Sequence, residues 1–369
     1  MQNKMIYFIA GEVSGDMMGA QVMRQIKAVN PAVHFEGVGG ANMALEGIDS
    51  LFPMEELSLM GFLEIIPHIL HIKRRIRQTA QDIKAKKPDV VVTIDSPGFC
   101  YRVASLLRRE CPEIKLLHIV APSVWVYKPG RAKKFADIYD HLLTLLPFEP
   151  QYFEKEGLKT TYIGHPIFDK VFGGDQNFRT KHKIKDDSKL VVVTPGSRKG
   201  ELIRHLPPFI AALNNVARFY EDFTSCFVLT SNHTLVKEYL KKANFKYVIV
   251  SHQERLQAYA AADVALAKSG TNTLEIAASK TPMVVAYKLN FLTGAIIKLT
   301  AKVKYASLIN IMGGREIIPE FLQSDCNEQM LAIAIRNILD NDVIASKQIA
   351  DSLAVLKAMG LGAQNSPSK

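Results

Sequence analysis

Two carboxylates stand in a glycine-rich turn directly after the first apolar run, within the sequence G-E-V-S-G-D over residues 11–16. Glycines let a chain turn sharply and bring its backbone N–H groups close to a ligand at a helix N-terminus. The G-x-G-x-x-G spacing of dinucleotide-binding proteins is absent, which disfavours a nicotinamide cofactor. Glu12, Ser14 and Asp16 are therefore candidates for binding a substrate. The alternative is that Ser14 or Asp16 only caps the following helix.

A further carboxylate, Asp95, ends the apolar sequence V-V-V-T-I-D over residues 90–95. An apolar run of this kind predicts a parallel strand covered on both faces, which delivers the next side chain to the ligand-binding edge of the sheet. A carboxylate at that position can act as a general base on a substrate hydroxyl. The alternative is an Asp that caps the next helix.

An arginine closes a second glycine turn, P-G-S-R at residues 195–198, and Glu201 follows shortly after. The turn lies between an apolar run and a predicted helix, where the helix dipole and a guanidinium both favour anionic oxygens. Arg198 is therefore a candidate for binding a diphosphate. Because the turn lacks the lysine of a Walker loop, the sequence argues against an ATPase.

Hydroxyl groups mark a third turn, S-G-T at residues 269–271, and Glu275 follows one helical turn later. Ser269, Gly270 and Thr271 would offer hydroxyls and N–H groups to a pyrophosphate. Glu275 lies on the same helix face and could accept hydrogen bonds from ribose hydroxyls. A capping box fits less well, because the spacing from Thr271 to Glu275 is one residue too long.

The elements that must position these side chains alternate between short β-branched runs and longer helical patterns. This rhythm predicts an α/β fold with two doubly wound, Rossmann-like sheets. Pattern alone assigns the segment that contains Asn310 and Gln323 to a loop before a helix. The predicted strands are 5–10, 35–38, 90–95, 116–120, 142–145, 162–163, 190–194, 226–230, 247–250, 264–267 and 283–287.

The α/β rhythm pauses between residues 164 and 188, where glycine, asparagine, aspartate and lysine residues are typical of turns and linkers. The domain boundary is predicted there. We expect one α/β domain over residues 1–170, a second over residues 186–342, and a C-terminal helix over residues 343–369.

The chain has 369 residues, which is too long for one ordinary core and sufficient for two α/β domains. Its formal net charge of +10 favours anionic partners such as nucleotide phosphates or an anionic membrane. Nucleic acid is disfavoured, because the basic residues are dispersed and not interleaved with aromatic residues. The four cysteines lack C-x-x-C spacing, and no apolar stretch reaches the roughly 18 to 20 residues of a spanning helix. We therefore expect a cytoplasmic protein in a reducing compartment, without a signal peptide.

Residues 59–77 are first apolar and then basic, which predicts an interfacial patch that touches a membrane without crossing it. The alternative is a packed helix with a solvated charged end. A second basic group, Lys128, Arg131, Lys133 and Lys134, could hold a phosphate or be plain surface charge. The side chains predicted to contact acyl chains are Phe62, Leu63, Ile65, Ile66, Ile69 and Leu70.

Taken together, these segments closely resemble the lipid-A-disaccharide synthases. The likeness covers nearly the whole chain in the right order, which makes it specific although each motif alone is weak. The motifs are G-E-V-S-G-D at 11–16, M-G-F-L-E at 60–64, I-D-S-P at 94–97, A-P-S-V-W at 121–125, L-P-F-E at 146–149, I-G-H-P at 163–166, P-G-S-R at 195–198, S-G-T-x-T-L-E at 269–275, P-M-V-V-A-Y-K at 282–288 and the segment 310–323.

The resemblance implies a glycosyltransferase-B fold whose C-terminal helices cross back to the N-terminal domain. It implies transfer of 2,3-diacylglucosamine from UDP to the 6-hydroxyl of 2,3-diacylglucosamine 1-phosphate. The products would be the β-1,6-linked lipid A disaccharide 1-phosphate and UDP, formed with inversion during lipopolysaccharide synthesis. By motif position Asp95 matches the family's base, whereas Arg198, Glu275, Asn310 and Gln323 match its UDP-side residues.

The first domain would then bind the acceptor at the cytoplasmic face of the inner membrane, and the second would bind the UDP-sugar. No convincing D-x-D pair is present to hold a metal on the diphosphate, so we expect no cofactor and no metal. Two departures from the family pattern concern Gly98, where many members have a second Asp, and Ile309, which replaces a proline. The alternatives are another UDP-sugar transferase or epimerase of the same fold, or a nucleotide-sensing binding protein without turnover.

Overall fold

A computed structural model describes residues 4–58, 65–126, 128–170, 172–173, 177–290 and 303–362, and for residues 58, 65–68 and 169 it describes the backbone alone. Contacts divide the chain into two units, Met1–Asp169 with Gly362–Lys369, and Lys170–Leu361. The division between Asp169 and Lys170 lies inside the segment 164–188, where the sequence predicts a boundary.

The first unit is built on six strands and seven described α-helices. The strands are β1 (Met5–Ala10), β2 (His34–Val38), β3 (Val90–Ile94), β4 (Leu116–Ile119), β5 (His141–Thr144) and β6 (Thr160–Tyr162). The helices are α1 (Val13–Val29), α2 (Ala41–Leu45), α3 (Glu55–Ser58), α4 (Ile65–Lys86), α5 (Cys100–Glu110), α6 (Arg131–Ala136) and α7 (Pro150–Glu154), with a 3-10 helix at Pro166–Asp169.

These strands form one parallel sheet in the order β2-β1-β3-β4-β5-β6. Helical crossovers cover both faces of the sheet, so Tyr7, Phe8 and Ile9 of β1 are completely buried. β1 pairs with β3 up to Ala10 and Ile94. The segments after β1 and β3 therefore leave the sheet side by side, at the edge where α/β sheets bind ligands.

The second unit repeats this plan. Its strands are β7 (Lys189–Thr194), β8 (Phe223–Leu229), β9 (Lys246–Ser251), β10 (Val264–Lys268), β11 (Met283–Tyr287) and β12 (Glu320–Leu322). The described helices are α8 (Phe178–Lys181), α9 (Lys199–Ala217), α10 (His233–Leu240), α11 (Arg255–Ala261), α12 (Asn272–Ala278), α13 (Leu308–Gly313), α14 (Glu328–Leu339) and α15 (Asp342–Ala358). Two 3-10 helices lie at His252–Glu254 and Gln323–Asp325.

The second sheet is also parallel, in the order β12-β11-β10-β7-β8-β9. β7 pairs with β10 from Val191 to Thr194, so the loops that follow these two strands are neighbours. Val191, Val192 and Val193 are completely buried, as expected for a central strand. The loops after β11 and β12 open at the same edge of the sheet.

The predicted α/β class with two parallel sheets is confirmed. All eleven predicted strands are present, and their bounds differ from the prediction by at most three residues. The twelfth strand, β12, is absent from the prediction, because three residues are too few to show a pattern and the segment reads as a loop.

The C-terminal helix α15 packs on α12, α13 and α14 of its own unit. Gln348 of α15 ties it to β11, because its side-chain amide accepts a hydrogen bond from Met283 N at 2.6 Å and donates one to Met283 O at 3.1 Å. The predicted packing of residues 343–369 on the N-terminal domain stays a prediction. No described helix is long and apolar enough to cross a membrane.

Candidate active site

The turns after β1 and β3 touch each other through Gly11 and Ser96. A Cβ atom placed on Gly11 would lie 2.4 Å from Ser96 Oγ and 2.9 Å from Ser96 Cβ, which is closer than such atoms can approach. Glycine is therefore required at position 11 for the two turns to pack. This contact brings the segment with Glu12 next to the segment with Asp95, as the strand pairing requires.

Asp95 directly follows β3 in a strained backbone conformation. Asp95 and Ser96 have φ values of 47° and 46°, and Val120, which follows the neighbouring strand β4, has φ 79°. Positive φ is uncommon outside glycine and is a genuine outlier for a β-branched residue. Non-glycine residues persist in this region only when the surrounding structure holds them there, and such strain concentrates at functional sites.

The Asp95 carboxyl group is half-buried, and burial raises its pKa above the usual range, although a hydrogen bond from the Ser96 backbone opposes this. A carboxylate with a raised pKa is a stronger proton acceptor than an ordinary aspartate. The environment of Asp95 therefore suits the role of a general base. A raised pKa also means that the ionised group costs folding free energy.

Asp16 has a different environment from the one expected for a ligand contact. Its buried carboxylate accepts hydrogen bonds from Gly40 N (2.7 Å), Asn42 N (3.0 Å), Asn42 Nδ2 (2.8 Å) and Met43 N (3.0 Å). These donors surround the first turn of α2, so Asp16 caps a helix other than its own. Each carboxylate oxygen thus accepts two hydrogen bonds inside the protein, and the predicted contact of Asp16 with the acceptor stays a prediction. Glu12 and Ser14 are exposed.

In the second unit the P-G-S-R turn folds over Glu201. Gly196 has φ 113°, and a Cβ atom there would lie 2.6 Å from Glu201 Oε2, so this position requires glycine. Glu201 is buried, accepts a hydrogen bond from Ser197 N at 3.3 Å and pairs with Lys268 Nζ at 3.3 Å. Burial alone would raise the pKa of Glu201, but Lys268 more than compensates and lowers it.

Arg198 is the exposed cation of this turn. Its side chain is 79% accessible, and Nη1 lies 4.0 Å from Glu201 Oε1. Because Lys268 already neutralises Glu201, Arg198 supplies net positive charge at the loop edge. Arg198 and Glu201, both predicted to contact UDP, therefore have different environments in the structure. Arg198 can reach an anion, whereas Glu201 lies beneath the turn and holds it in place.

A buried histidine that the sequence reading missed supports the same turn. His205 Nδ1 donates to Pro195 O at 2.9 Å, and His205 Nε2 accepts from Lys288 N at 3.0 Å. The second bond requires an unprotonated Nε2, so the ring is neutral. Burial lowers the pKa of His205 to about 4. His205 therefore links the turn after β7 to the end of β11.

The S-G-T turn lies beside the P-G-S-R turn. Asn272 Nδ2 donates to Thr194 Oγ1 at 2.7 Å, which ties the start of α12 to the end of β7. Ser269 Oγ donates to Ala306 O at 2.9 Å, so its hydroxyl is still able to accept a hydrogen bond. Thr271 is exposed, and Gly270, which lies between Ser269 and Thr271 in the chain, is half-buried. The structure therefore brings the two predicted anion-binding turns together.

Glu275 is buried and paired with two cations that the sequence reading missed. Arg255 donates to it through Nε and Nη2, both at 3.0 Å, and Lys170 Nζ lies 2.6 Å from Oε1. Burial alone would raise the pKa of Glu275, and the bonds from Arg255 and Lys170 lower it. Oε1 already accepts two of these hydrogen bonds, whereas Oε2 accepts one and can accept a second. A contact with a ribose hydroxyl is compatible with this arrangement and stays a prediction.

Asn310 is completely buried, and its amide uses its full hydrogen-bonding capacity. Nδ2 donates to Ile318 O and Glu320 Oε1, both at 2.7 Å, and Oδ1 accepts from Ile317 N and Ile318 N at 2.8 and 2.9 Å. These bonds hold the segment 317–320, and the predicted contact of this side chain with UDP stays a prediction. Gln323 is half-buried with φ 54° and directly follows β12 at the ligand-binding edge.

Comparison with known proteins identifies the family. A family model described as lipid-A-disaccharide synthetase matches residues 6–369. A curated lipid-A-disaccharide synthase of Rickettsia bellii is 49% identical over 373 residues, covering 99% of this chain and 96% of that protein. One of Rickettsia prowazekii is 47% identical over 369 residues, covering 99% of this chain and 97% of that protein. The chain belongs to the lipid-A-disaccharide synthase family. It is an enzyme of the glycosyltransferase class.

Solved structures share the fold of this lipid-A-disaccharide synthase family member at low sequence identity. A UDP-GlcNAc 2-epimerase from Neisseria meningitidis bound to UDP-GlcNAc has a TM-score of 0.63 and 13% identity, covering 97% of this chain and 99% of that chain. The glycosyltransferase of kitacinnamycin has a TM-score of 0.61 and 14% identity, covering 99% and 97% of the two chains. The glycosyltransferase-B architecture is thereby confirmed.

Two family motifs of the first unit meet at Glu149. Its buried carboxyl group accepts hydrogen bonds from Leu145 N (3.2 Å), Leu146 N (3.0 Å) and Trp125 Nε1 (3.4 Å), and the Trp125 ring packs edge-on against Phe148. Burial raises the pKa of Glu149 to about 7, although these donors oppose the rise. Among the described residues, no ion pair includes this carboxyl group.

Helix α4 carries the part of the predicted membrane patch that the structure describes. Ile69 is 39% exposed and Leu70 is 76% exposed, whereas Ile72, Ile76 and Ile83 are buried as the core stripe. Phe62 and Leu63 lie outside the described residues, as do the side chains of Ile65 and Ile66.

The basic residues of α4 divide into two groups. Arg75 donates to both carboxylate oxygens of Glu56, at 2.8 and 2.7 Å, and therefore belongs to the packing of the helix. Lys73, Arg74 and Arg77 are exposed, and no ion pair of the described residues includes them. Their spacing places them on the same helix face as Ile69 and Leu70.

Proposed function

We propose that this enzyme transfers 2,3-diacylglucosamine from UDP-2,3-diacylglucosamine to 2,3-diacylglucosamine 1-phosphate. The products are the β-1,6-linked lipid A disaccharide 1-phosphate and UDP. The observation that carries the proposal is the kind of side chain found at the ligand-binding edge of each sheet. One edge offers a proton acceptor and the other offers groups that bind anions. The first edge carries a half-buried carboxylate, Asp95, and the second carries two anion-binding turns with the exposed Arg198. Family membership supports the identity of the two lipid substrates.

In the acceptor half of the reaction, Asp95 accepts the proton of the 6-hydroxyl as this oxygen attacks the anomeric carbon. The raised pKa of its carboxyl group supports the role. Glu12 and Ser14 are exposed in the adjacent turn and are proposed to position the acceptor sugar. Asp16 acts indirectly, because it fixes α2 beneath that turn.

In the donor half, Arg198 and the turn from Ser269 to Thr271 bind the diphosphate and stabilise its charge as UDP leaves. Glu275 is proposed to contact the ribose, and Gln323 the remaining uridine side of the nucleotide. The Neisseria meningitidis epimerase was solved with UDP-GlcNAc, which supports a UDP-sugar as the donor. Attack opposite the leaving diphosphate converts an α-linked donor into a β-linked product, so the reaction inverts the anomeric centre.

The same proposal places the enzyme at the cytoplasmic face of the inner membrane, where both lipids reside. The exposed Ile69 and Leu70 support contact with acyl chains, and the exposed Lys73, Arg74 and Arg77 support attraction to lipid phosphates. Each cation near an anionic membrane surface contributes roughly 1 kcal/mol.

The decisive experiment incubates the purified protein with both lipids in detergent and measures UDP release and disaccharide formation. We expect UDP only when the acceptor is present, and a β-anomeric coupling in the product by NMR. An epimerase would instead convert the donor without any acceptor, and a nucleotide-sensing protein would bind the donor without releasing UDP. In a competition assay the acylated UDP-glucosamine should be consumed in preference to the unacylated one. Equal consumption of the two UDP-sugars would contradict the proposal that the acylated UDP-glucosamine is the donor.

A further inference from the structure

The first unit contains a basic pocket beside the segment that carries Asp95. The pocket has a volume of about 320 Å³, at the lower end of the roughly 300 to 1,000 Å³ of small-molecule sites. We refer to it as the basic pocket. Its lining residues are Pro97, Tyr101, Lys128, Arg131, Lys134 and Phe135.

An aromatic pair forms a rigid part of the pocket wall. Tyr101 of α5 and Phe135 of α6 are stacked with ring centroids 5.5 Å apart. Phe135 is 1% exposed and also packs against His118 and Tyr139 in the core. Arg131 and Lys134 lie on α6 with Phe135, so this anchored ring fixes the helix that carries both cations.

Three of the six lining residues are cations, and none is a carboxylate. Other cations of the first unit are paired with carboxylates, for example Arg108 with Asp140 at 2.7 Å and Arg75 with Glu56 at 2.7 Å. No ion pair among the described residues includes Arg131 or Lys134. Like charges gathered in a concave site favour an anionic ligand, and a phosphomonoester offers two negative charges and several acceptor oxygens.

The position of the pocket connects this anion site with the proposed base. Pro97 follows Asp95 by two residues, so their Cα atoms are within about 7 Å of each other. This separation is comparable to the size of one sugar ring. One wall of the basic pocket is therefore formed within two residues of the proposed base, which favours the acceptor sugar as the source of the anion.

We propose that the basic pocket binds the 1-phosphate of the acceptor and thereby selects a phosphorylated over an unphosphorylated acceptor sugar. This inference rests on the proposed function and assigns Arg131 and Lys134 to acceptor binding. Lys133, on the same helix, does not line the pocket and is exposed, so it has no part in the site. The phosphate of an anionic membrane lipid has the same chemistry and is the competing source of ligand.

The test compares the double variant R131Q/K134Q with the control K133Q, each assayed with diacylglucosamine 1-phosphate and with diacylglucosamine that lacks the phosphate. Wild type and K133Q should prefer the phosphorylated acceptor. The double variant should lose at least tenfold in kcat/KM for that acceptor alone, because one hydrogen bond to a charged group contributes about this factor. The KM for the UDP-linked donor should not change. A preference that survives in the double variant overturns the proposal.

Two further measurements separate the competing explanations. Sedimentation with phosphatidylglycerol vesicles should be equal for R131Q/K134Q and wild type, and a loss of vesicle binding with unchanged acceptor preference would assign the pocket to membrane lipid. If wild type itself releases no UDP, the proposed function fails, and the pocket is judged by calorimetric titration with glucosamine 1-phosphate. Binding by wild type and K133Q but not by the double variant supports a phosphomonoester site. Absence of binding by wild type overturns it.

Discussion

Gly11 and Ser96 are in van der Waals contact across the ends of β1 and β3, where a Cβ on Gly11 would lie 2.4 Å from Ser96 Oγ. Ser96 is held at φ 46° beside Asp95 at φ 47°. Any side chain at position 11 therefore pushes directly on the Ser96 side chain, which belongs to the residue next to the proposed base.

This contact predicts that Gly11→Ala lowers kcat at least tenfold, because Ser96 and then Asp95 must shift. The double variant Gly11→Ala with Ser96→Gly should recover most of the activity, since glycine removes the clashing atoms and tolerates positive φ. The measurement is kcat for wild type, both single variants and the double variant. Absence of recovery in the double variant would show that Gly11 acts through something other than Ser96.

Asp95→Asn should reduce kcat by about 10² to 10⁴, the usual contribution of a general base. Asparagine tolerates positive φ, so the variant should fold. Burial raises the pKa of Asp95, and the folded state therefore loses stability as pH rises through that pKa. The Asn variant should melt at a higher temperature than wild type at pH 8. A loss of only a few fold in kcat would remove Asp95 as the base.

The pH dependence of wild type gives an independent check on Asp95. The acid limb of kcat/KM should lie at a higher pH than the value of about 3.9 for an ordinary aspartate. Because the carboxylate is the active form, activity is lost as pH falls through the raised pKa. An acid limb at the ordinary aspartate value would mean that another group limits the rate.

Arg198→Ala should weaken UDP binding by about 10- to 100-fold, since a hydrogen bond to a charged group contributes roughly 1.5 to 3 kcal/mol. Arg198 is exposed, so the variant should keep the stability of wild type. Arg218→Ala, which changes an exposed arginine at the other end of α9, is the matched control. Calorimetric titration with UDP measures both. Equal affinities for the two variants would exclude Arg198 from the diphosphate site.

Glu149→Gln should make the free energy of unfolding less dependent on pH. The pKa of Glu149 is about 7 in the folded state and near the ordinary value of about 4.3 when unfolded, so stability is highest at low pH and falls as pH rises through 7. Glutamine resembles the protonated form and should stabilise the protein at pH 8 by an amount on the order of 3 kcal/mol. Urea unfolding of wild type and the Gln variant at pH 5 and pH 8 tests this. An equal change in the free energy of unfolding between the two pH values would contradict the prediction.

Ile69→Ser with Leu70→Ser should shift the enzyme from vesicles to the supernatant in a sedimentation assay. Burying one large apolar side chain contributes about 1.5 to 3 kcal/mol, so the partition coefficient should fall at least tenfold. Leu45→Ser is the control, because Leu45 is 84% exposed on α2 in the same unit. An equal effect of the control would indicate general loss of hydrophobicity and reject the patch.

The sequence predicts the fold well, because buried parallel strands are continuous apolar runs such as residues 90–94, and side chains at their ends fall at one edge of the sheet. Asp95 and Arg198 could be found in this way. The hydrogen bonds of Asp16 and Asn310 could not be predicted from the sequence. Their partners at residues 40–43 and 317–320 are brought into place by tertiary packing.

The same limit applies to the partners of Glu275. Arg255 precedes it by 20 residues and Lys170 by 105, and no local pattern links such separations. A polar residue in a glycine turn is therefore predictable as part of the site. Whether its side chain faces a ligand or holds the turn from beneath depends on how many of its hydrogen bonds the rest of the chain already uses.

The bridge from Pro195 O through the His205 ring to Lys288 N fixes a single tautomer, and its low pKa keeps that tautomer from pH 5 upward. The turn that carries Arg198 is thus braced by a group that does not titrate across the physiological range. As pH falls, protonation of Asp95, the proposed base, should consequently slow this enzyme, while its affinity for the nucleotide persists.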